Sequence, residues 1–245
     1  MKLWILLLTL VLTVQVTANA QLTHLNDGSV IIDNFQEDTV GKLPTGWYDR
    51  DGNGELINKS SSEQAKYKYA IEEENNNKFL RYNGVKAMHM NFPLVNKEGI
   101  NISKTPILSW KWRVFELPKN ANEDYKDRND TAASIYVVFD FANYVFKKIP
   151  RSIRYTWSTS LPNGTHLSKF FNKQKIVVLA SGKNHTGKWR TFKRNIYQDY
   201  RELFGEDPPD KPVAILILSD GDSTGSHVKA DYDDIELLPT ATARK

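Results

Sequence analysis

Two carboxylates stand two residues apart in Ser219-Asp220-Gly221-Asp222, directly after the apolar run Val213–Leu218. A continuous apolar run of that length reads as a strand buried on both faces, so the pair sits at the mouth of a buried strand. Carboxylates so placed could accept protons from sugar hydroxyls, hold a hard cation, or supply the acid and base of glycoside hydrolysis. Asp231, Asp233 and Asp234 add a second acidic group near the last strand. Upstream, Arg194 and Asn195 directly precede a helical stretch that carries Asp199 and Arg201 in its first turns. A helix start offers free N–H groups and a positive dipole end, which suits an anionic or hydroxyl-rich ligand. Asp199 suits equally well a dipole partner or an ion pair with Arg194.

The loop Asp49-Arg50-Asp51-Gly52-Asn53-Gly54-Glu55-Leu56 has alternating side-chain oxygens at Asp49, Asp51 and Asn53, as in a calcium loop. Its twelfth position is Ser60 where that pattern needs a bidentate Glu, so a plain Asp/Asn/Gly turn is the competing reading. The histidines have no H-x-x-x-H or H-x-H spacing, no G-x-S-x-G occurs, and there is no cysteine. Zinc chemistry of the usual spacing, the nucleophile elbow and thiol catalysis are therefore not indicated.

The elements that must position these residues are strands. In Ile107–Val114, Leu108, Trp110, Trp112 and Val114 share one face, with Ser109, Lys111 and Arg113 on the other. Ser134–Phe141 and Ile153–Ser158 alternate in the same way, and period-2 alternation marks a half-buried strand. The breaks fall at Leu117-Pro118, Ile149-Pro150 and Leu161-Pro162-Asn163-Gly164, all turn chemistry. Further strands are expected at Val30–Phe35, Lys66–Ile71, Lys78–Tyr82, Ile176–Ala180 and Ala230–Leu238, with Glu72–Asn77 as a hairpin tip. Ile196, Tyr200, Leu203 and Phe204 change the period to that of a helix, with Asn195 as N-cap and Gly205 at its end.

This pattern predicts an all-β fold: a two-sheet antiparallel β-sandwich, jelly-roll-like, with one short helix. The first and last strands should pair, and Trp110, Trp112 and Trp157 should form the core. Lys111, Arg113, Tyr136, Asp140, Arg154 and Thr156 then make up an outward face for solvent or a groove.

The first 20 residues read as a signal peptide, with Lys2, the apolar stretch Leu3–Val16 and the cleavage site Ala18-Asn19-Ala20. That apolar stretch is short against the roughly 20 residues needed to span a bilayer. The expectation is an exported protein, periplasmic or extracellular, with residues 21–245 as one sandwich domain and no integral membrane segment once the signal is removed. A formal net charge of +4 and no long Lys/Arg run do not suit nucleic acid.

Seven stretches resemble the exported bacterial family called domain of unknown function 3047. They are L-S-W-x-W-R-V (Leu108–Val114), N-D-x-A-A-x-I-Y-V-V-F (Asn129–Phe139), Y-x-W (Tyr155–Trp157), Ser181-Gly182 followed by Trp189, R-N-x-x-x-D-Y-R-x-x-F-G (Arg194–Gly205), S-D-x-D-x-T (Ser219–Thr224) and Y-D-D-I (Tyr232–Ile235). The resemblance spans Ile31 to Leu238. It implies a secreted β-sandwich similar to carbohydrate-binding modules and galactose-binding-like domains, without an established activity. Where the family has a D-D pair before the Val-rich strand, this chain has Asn129-Asp130.

The function expected is non-catalytic binding of a polysaccharide or surface glycan. Its polar lining would be Lys111, Arg113, Asp130, Arg194, Asn195, Asp199, Asp220 and Asp222. The cations would contact hydroxyls or uronate carboxylates, and the aspartates would accept hydroxyl protons or hold a metal. Ca²⁺ is the cofactor these oxygens would suit, with Asp49, Asp51 and Asn53 as a second place for it. The alternatives are a glycan hydrolase or lyase using Asp199, Asp220 or Asp222, and a structural envelope protein.

Overall fold

A computed structural model describes residues 22–240 other than 87, 145 and 146, with the side chains of 143–148 left aside. The expected signal peptide lies outside the described residues. In chain order the elements are β1 (Thr23–His24), β2 (Val30–Asp33), α1 (Ser61–Tyr67), β3 (Tyr69–Glu74), β4 (Asn77–Gly84), β5 (Met90–Pro93), β6 (Ile107–Glu116) and β7 (Thr131–Tyr144). There follow β8 (Lys147–Ser158), β9 (His166–Lys169), β10 (Gln174–Ser181), β11 (Arg190–Asn195), α2 (Ile196–Phe204), β12 (Ala214–Asp220) and β13 (Val228–Leu238). Among the described residues no helix is long and apolar enough to cross a membrane.

The strands form two sheets. A seven-stranded sheet is built on β13, which pairs with β6 along one edge and with β4 and β2 along the other; β11 extends it beyond β6. The six-stranded sheet runs β5-β12-β7-β8-β10-β9. The expected pairing of the first and last strands is present, with Ile31 opposite Glu236 and Val30 opposite Leu237. Two details differ from expectation. The β8–β10 pair is parallel, because the chain returns through the short β9 hairpin before β10 joins the sheet. Residues 61–67 form a helix where a strand beginning at Lys66 was expected. Ser60 supplies the start: its N–H and hydroxyl both meet the Glu63 carboxylate, a capping-box arrangement.

The core lies between the inner faces. Trp110, Trp112 and Trp157 are fully buried, with Trp110 and Trp112 edge to face at 5.3 Å between ring centroids. α2 closes one end. Ile196 and Tyr200 are buried, and the Tyr200 ring lies 4.6 Å from that of Phe139. A second apolar cluster sits on the other side of the six-stranded sheet, where Tyr136, Val138, Ala214, Leu216 and Leu218 pack together. This is why β12 reads as continuously apolar: its two faces belong to two different clusters.

The outward face expected as one surface is two. Lys111 and Arg113 project from β6 on the seven-stranded sheet, whereas Tyr136, Arg154 and Thr156 belong to β7 and β8 on the six-stranded one. Alternation along a strand shows which residues share a side, but not which sheet the strand will join.

Candidate functional site

Asp220 is placed by a break in the β12–β7 ladder. The register shifts between Leu218, opposite Ser134, and Asp220, opposite Thr131. Two tyrosines reach across the core from the seven-stranded sheet to hold that irregularity. The Ser219 N–H donates to the Tyr69 hydroxyl oxygen at 2.8 Å, and the Tyr232 hydroxyl is 2.8 Å from the Ser219 hydroxyl. The loop that follows folds back tightly. A Cβ built on Gly221 would lie 2.0 Å from the Ser226 carbonyl oxygen, so only glycine fits.

Asp130, fully buried just before β7, ties this loop down. It accepts from the Ser223 N–H (3.1 Å), the Thr224 N–H (2.8 Å) and the Thr224 hydroxyl (2.6 Å). Asp220 in turn accepts the Asp222 N–H at 3.1 Å. Asp130, Asp220 and Asp222 thereby offer carboxylate oxygens within 4.8 Å of one another. Burial, reinforced by the negative charges of Asp130 and Asp222, pushes Asp220 up to about 7. Spacing alone would let the three hold a metal ion. Against that, Asp130 already accepts three hydrogen bonds, Ca²⁺ seeks 6–8 oxygens, and the positive charge of Arg154 bears on Asp220.

Arg154 and Glu123 complete this corner of the six-stranded sheet. Arg154 lies opposite Tyr136, its guanidinium carbon 5.5 Å from the centre of the Tyr136 ring. It is 5% exposed, donates from Nε to the Ser134 hydroxyl at 2.9 Å, and has no partner at Nη2. Glu123, from the loop between β6 and β7, is fully buried; it accepts the Ser158 hydroxyl at Oε2 (2.5 Å) and has no partner at Oε1.

Beyond Tyr136 a groove of about 530 Å³ runs over the same sheet face. Its floor is the second apolar cluster: Tyr136, Val138, Ala214 and Leu216. Polar groups border it at Arg50, Asp51, His89, Asn91, Ser152 and Gln174. Burial, with the charges of Arg50 and Arg154 adding to it, pushes His89 down to about 3, so its ring is neutral at neutral pH. That ring meets Tyr136 edge to face at 5.5 Å. Asn91 Oδ1 is buried without a hydrogen-bond partner. A larger open depression of about 1230 Å³ at the end of the sandwich includes Glu116 and His227, which pair with each other at 2.9 Å.

The eight residues expected to form one lining do not share one place: Asp130, Asp220 and Asp222 come together, and the other five lie elsewhere. Arg194 grips Asp199 through Nε and Nη2, two nitrogens of one guanidinium edge, and the Tyr155 hydroxyl donates to Asp199 at 2.6 Å; Asp199 is 5% exposed. Asn195 caps α2 by accepting the Gln198 N–H at 2.9 Å. Lys111 lies 2.5 Å from Asp234, and Arg113 bonds Asp231 and Glu74 on the seven-stranded sheet. In the loop read as a calcium site, Asp49 pairs with Lys59 at 2.9 Å and accepts the Asn53 N–H. A lysine ammonium thus engages the carboxylate that would lead the calcium set. Sequence reasoning placed Tyr136 and Arg154 on an outward face but passed over His89, Asn91, Glu123 and Gln174. Arg154 carried a signal, an arginine alternating with Tyr155 and Trp157 in a strand. Glu123, in a polar loop, carried none.

Among solved structures the chain is similar to the family 11 carbohydrate-binding module of the cellulosomal cellulase Lic26A-Cel5E of Clostridium thermocellum, at 13% identity over 89% of this chain and 98% of that one, TM-score 0.41. It is also similar to the family 30 module of the cellulase Cel9D-Cel44B of Clostridium thermocellum, at 10% identity over 87% and 99% of the two chains, TM-score 0.43. No curated protein matches it. The model of the protein-of-unknown-function family DUF3047 matches residues 55–236, and the chain belongs to that family.

Proposed function

We propose that this protein binds carbohydrate, without transforming it, in the groove on the outer face of the six-stranded sheet. The observation that carries the reading is the make-up of that groove: an apolar floor bearing a tyrosine ring, bordered by neutral and charged hydrogen-bonding groups. A volume of about 530 Å³ falls within the roughly 300–1,000 Å³ of small-molecule sites. A sugar ring has one weakly polar C–H face and a rim of hydroxyls. The floor suits the first, while Asn91, Gln174 and the neutral His89 suit the second. The unpartnered Asn91 Oδ1 is an acceptor without a donor, a role a ligand hydroxyl would fill.

Binding is favoured over hydrolysis because Asp220 and Asp222 stand on one loop two residues apart, with Asp130 beneath them, rather than on opposite walls of the groove. A glycosidase needs its two carboxyl groups to flank the scissile bond. Export belongs to the same proposal, resting on the first 20 residues, and cell fractionation with and without them tests it. The test of binding is a glycan array followed by titration calorimetry on the best ligand. Asn91→Ala and Gln174→Ala should each weaken it about fivefold, the effect of one neutral hydrogen bond. An array without binding, or affinity indifferent to both substitutions, would sink the reading.

A further inference from the structure

The polar corner beside the groove has more hydrogen-bonding capacity than the protein itself uses. Along β8, Arg154, Thr156 and Ser158 alternate onto the outer face, since residues two apart share a side. Their hydroxyl partners form a row: Thr156 Oγ1 lies 3.2 Å from the Ser134 hydroxyl and makes a short contact with that of Thr131. Thr131 stands opposite Asp220 in the ladder. Arg154 leans along this row, because its Nε bonds Ser134, which pairs with Thr156 rather than with Arg154 itself. The guanidinium is thereby carried from the Tyr136 row toward the Asp220 row. It stops short of an ion pair, since no carboxylate among the described residues lies within 4.0 Å of it. Its Nη2 is left without an acceptor, and Glu123, which bonds Ser158 at the other end of the row, keeps an oxygen without a donor.

A buried donor and a buried acceptor left open on one face are each costly unless something supplies their complements. The complement of the open Arg154 N–H on the side of the Asp220 carboxylate is a group that both accepts and donates, and a hydroxyl does both. We propose that this corner is a subsite for one sugar ring at the end of the groove, and that it selects uncharged sugars over uronates. Arg154 Nη2 donates to a ring hydroxyl, while Asp220 accepts from one. Tyr136 belongs to both the groove floor and this corner, so a chain lying in the groove is continuous with it. The selection follows from charge: Asp51, Asp130, Asp220 and Asp222 outnumber the guanidinium groups of Arg50 and Arg154, so a ligand carboxylate would meet a net negative field. The inference rests on the glycan-binding reading and narrows it, excluding the uronate that the cations alone would suggest.

The experiment is calorimetry of the full exported chain with neutral hexaoses (β-1,4-glucan, β-1,3-glucan and β-1,4-mannan) and with oligogalacturonate. Each is run with calcium chloride and with EDTA. At least one neutral hexaose should bind, at least about tenfold more tightly than the uronate, with EDTA making no difference. Asp220→Asn and Arg154→Lys should each weaken the neutral ligand about tenfold, as expected for a hydrogen bond to a charged group. Asp222→Asn, on the exposed part of the loop and free of folding demands, should narrow the discrimination against oligogalacturonate.

If no glycan binds, the groove reading itself falls. If a neutral glycan binds and responds to Asn91→Ala and Gln174→Ala, the groove stands. The subsite then falls if Asp220→Asn, Asp222→Asn and Arg154→Lys leave affinity and selectivity unchanged. Binding that EDTA abolishes would overturn direct contact and give the three aspartates to a divalent cation.

Discussion

Gly221 is the residue on which the aspartate cluster turns. Asp220 and Asp222 flank it, its N–H donates to the Val85 carbonyl at 3.0 Å, and its carbonyl accepts the Ser226 N–H at 2.8 Å. Adding one methyl group would place carbon 2.0 Å from a backbone oxygen that cannot rotate away. Gly221→Ala should therefore push the loop off the Asp130 carboxylate and cost about 1–3 kcal/mol, the usual penalty of overpacking. Urea denaturation measures it, and an unchanged midpoint would show that the loop adjusts freely. None of this packing was visible in the sequence, where Ser-Asp-Gly-Asp reads as an acidic turn. The acidic spacing was legible; the oxygen that forbids a side chain comes from five residues further along the chain.

At the scale of elements, α2 was legible because its signals are local. Asn195 before Ile196, the spacing of Ile196, Tyr200, Leu203 and Phe204, and Gly205 at φ 78° all lie within one stretch. The cap is also what removes Asn195 from the ligand site: its side-chain oxygen is committed to the Gln198 N–H. Asn195→Ala should cost about 1 kcal/mol, as the loss of an N-cap does, and leave glycan affinity unaltered. A loss of affinity at equal stability would return Asn195 to the site. The shorter α1 was missed although Ser60-Ser61-Ser62-Glu63 is a capping box. The reason is its far end, where Lys68 takes the left-handed conformation at φ 60° without a glycine to mark the stop. The same locality explains why the two-sheet class could be read from alternation while the sheet each strand joins could not. That choice is made by contacts more than a hundred residues apart, such as Arg113 with Asp231.

At the scale of the whole molecule, burial of carboxyl groups sets a pH dependence that reaches beyond the site. Asp33 on β2 accepts the Trp47 indole N–H at 2.7 Å, and burial pushes it up to about 7. Asp233 on β13 is likewise raised by burial, to about 6, despite the Asn77 amide that donates to it at 2.9 Å. An unfolded aspartate titrates near 3.9, so between about pH 4 and pH 7 the native protein holds more protons than the unfolded chain. Stability then falls as pH rises, since its slope follows the protons bound unfolded minus those bound native. The contribution is fully present below about pH 4 and is lost as pH rises through 6 to 7. Asp220, at about 7, adds to it in the same direction. Thermal unfolding should therefore show Tm declining from pH 4.5 to 7.5. Asp33→Asn keeps an acceptor for the indole and removes the charge, so it should flatten that decline and raise Tm at pH 7.5. A Tm that is level or rising over this range in the parent protein would mean that Asp33 and Asp233 are ionised at little cost. The sandwich would then tolerate charge between β2 and β13 that its burial argues against.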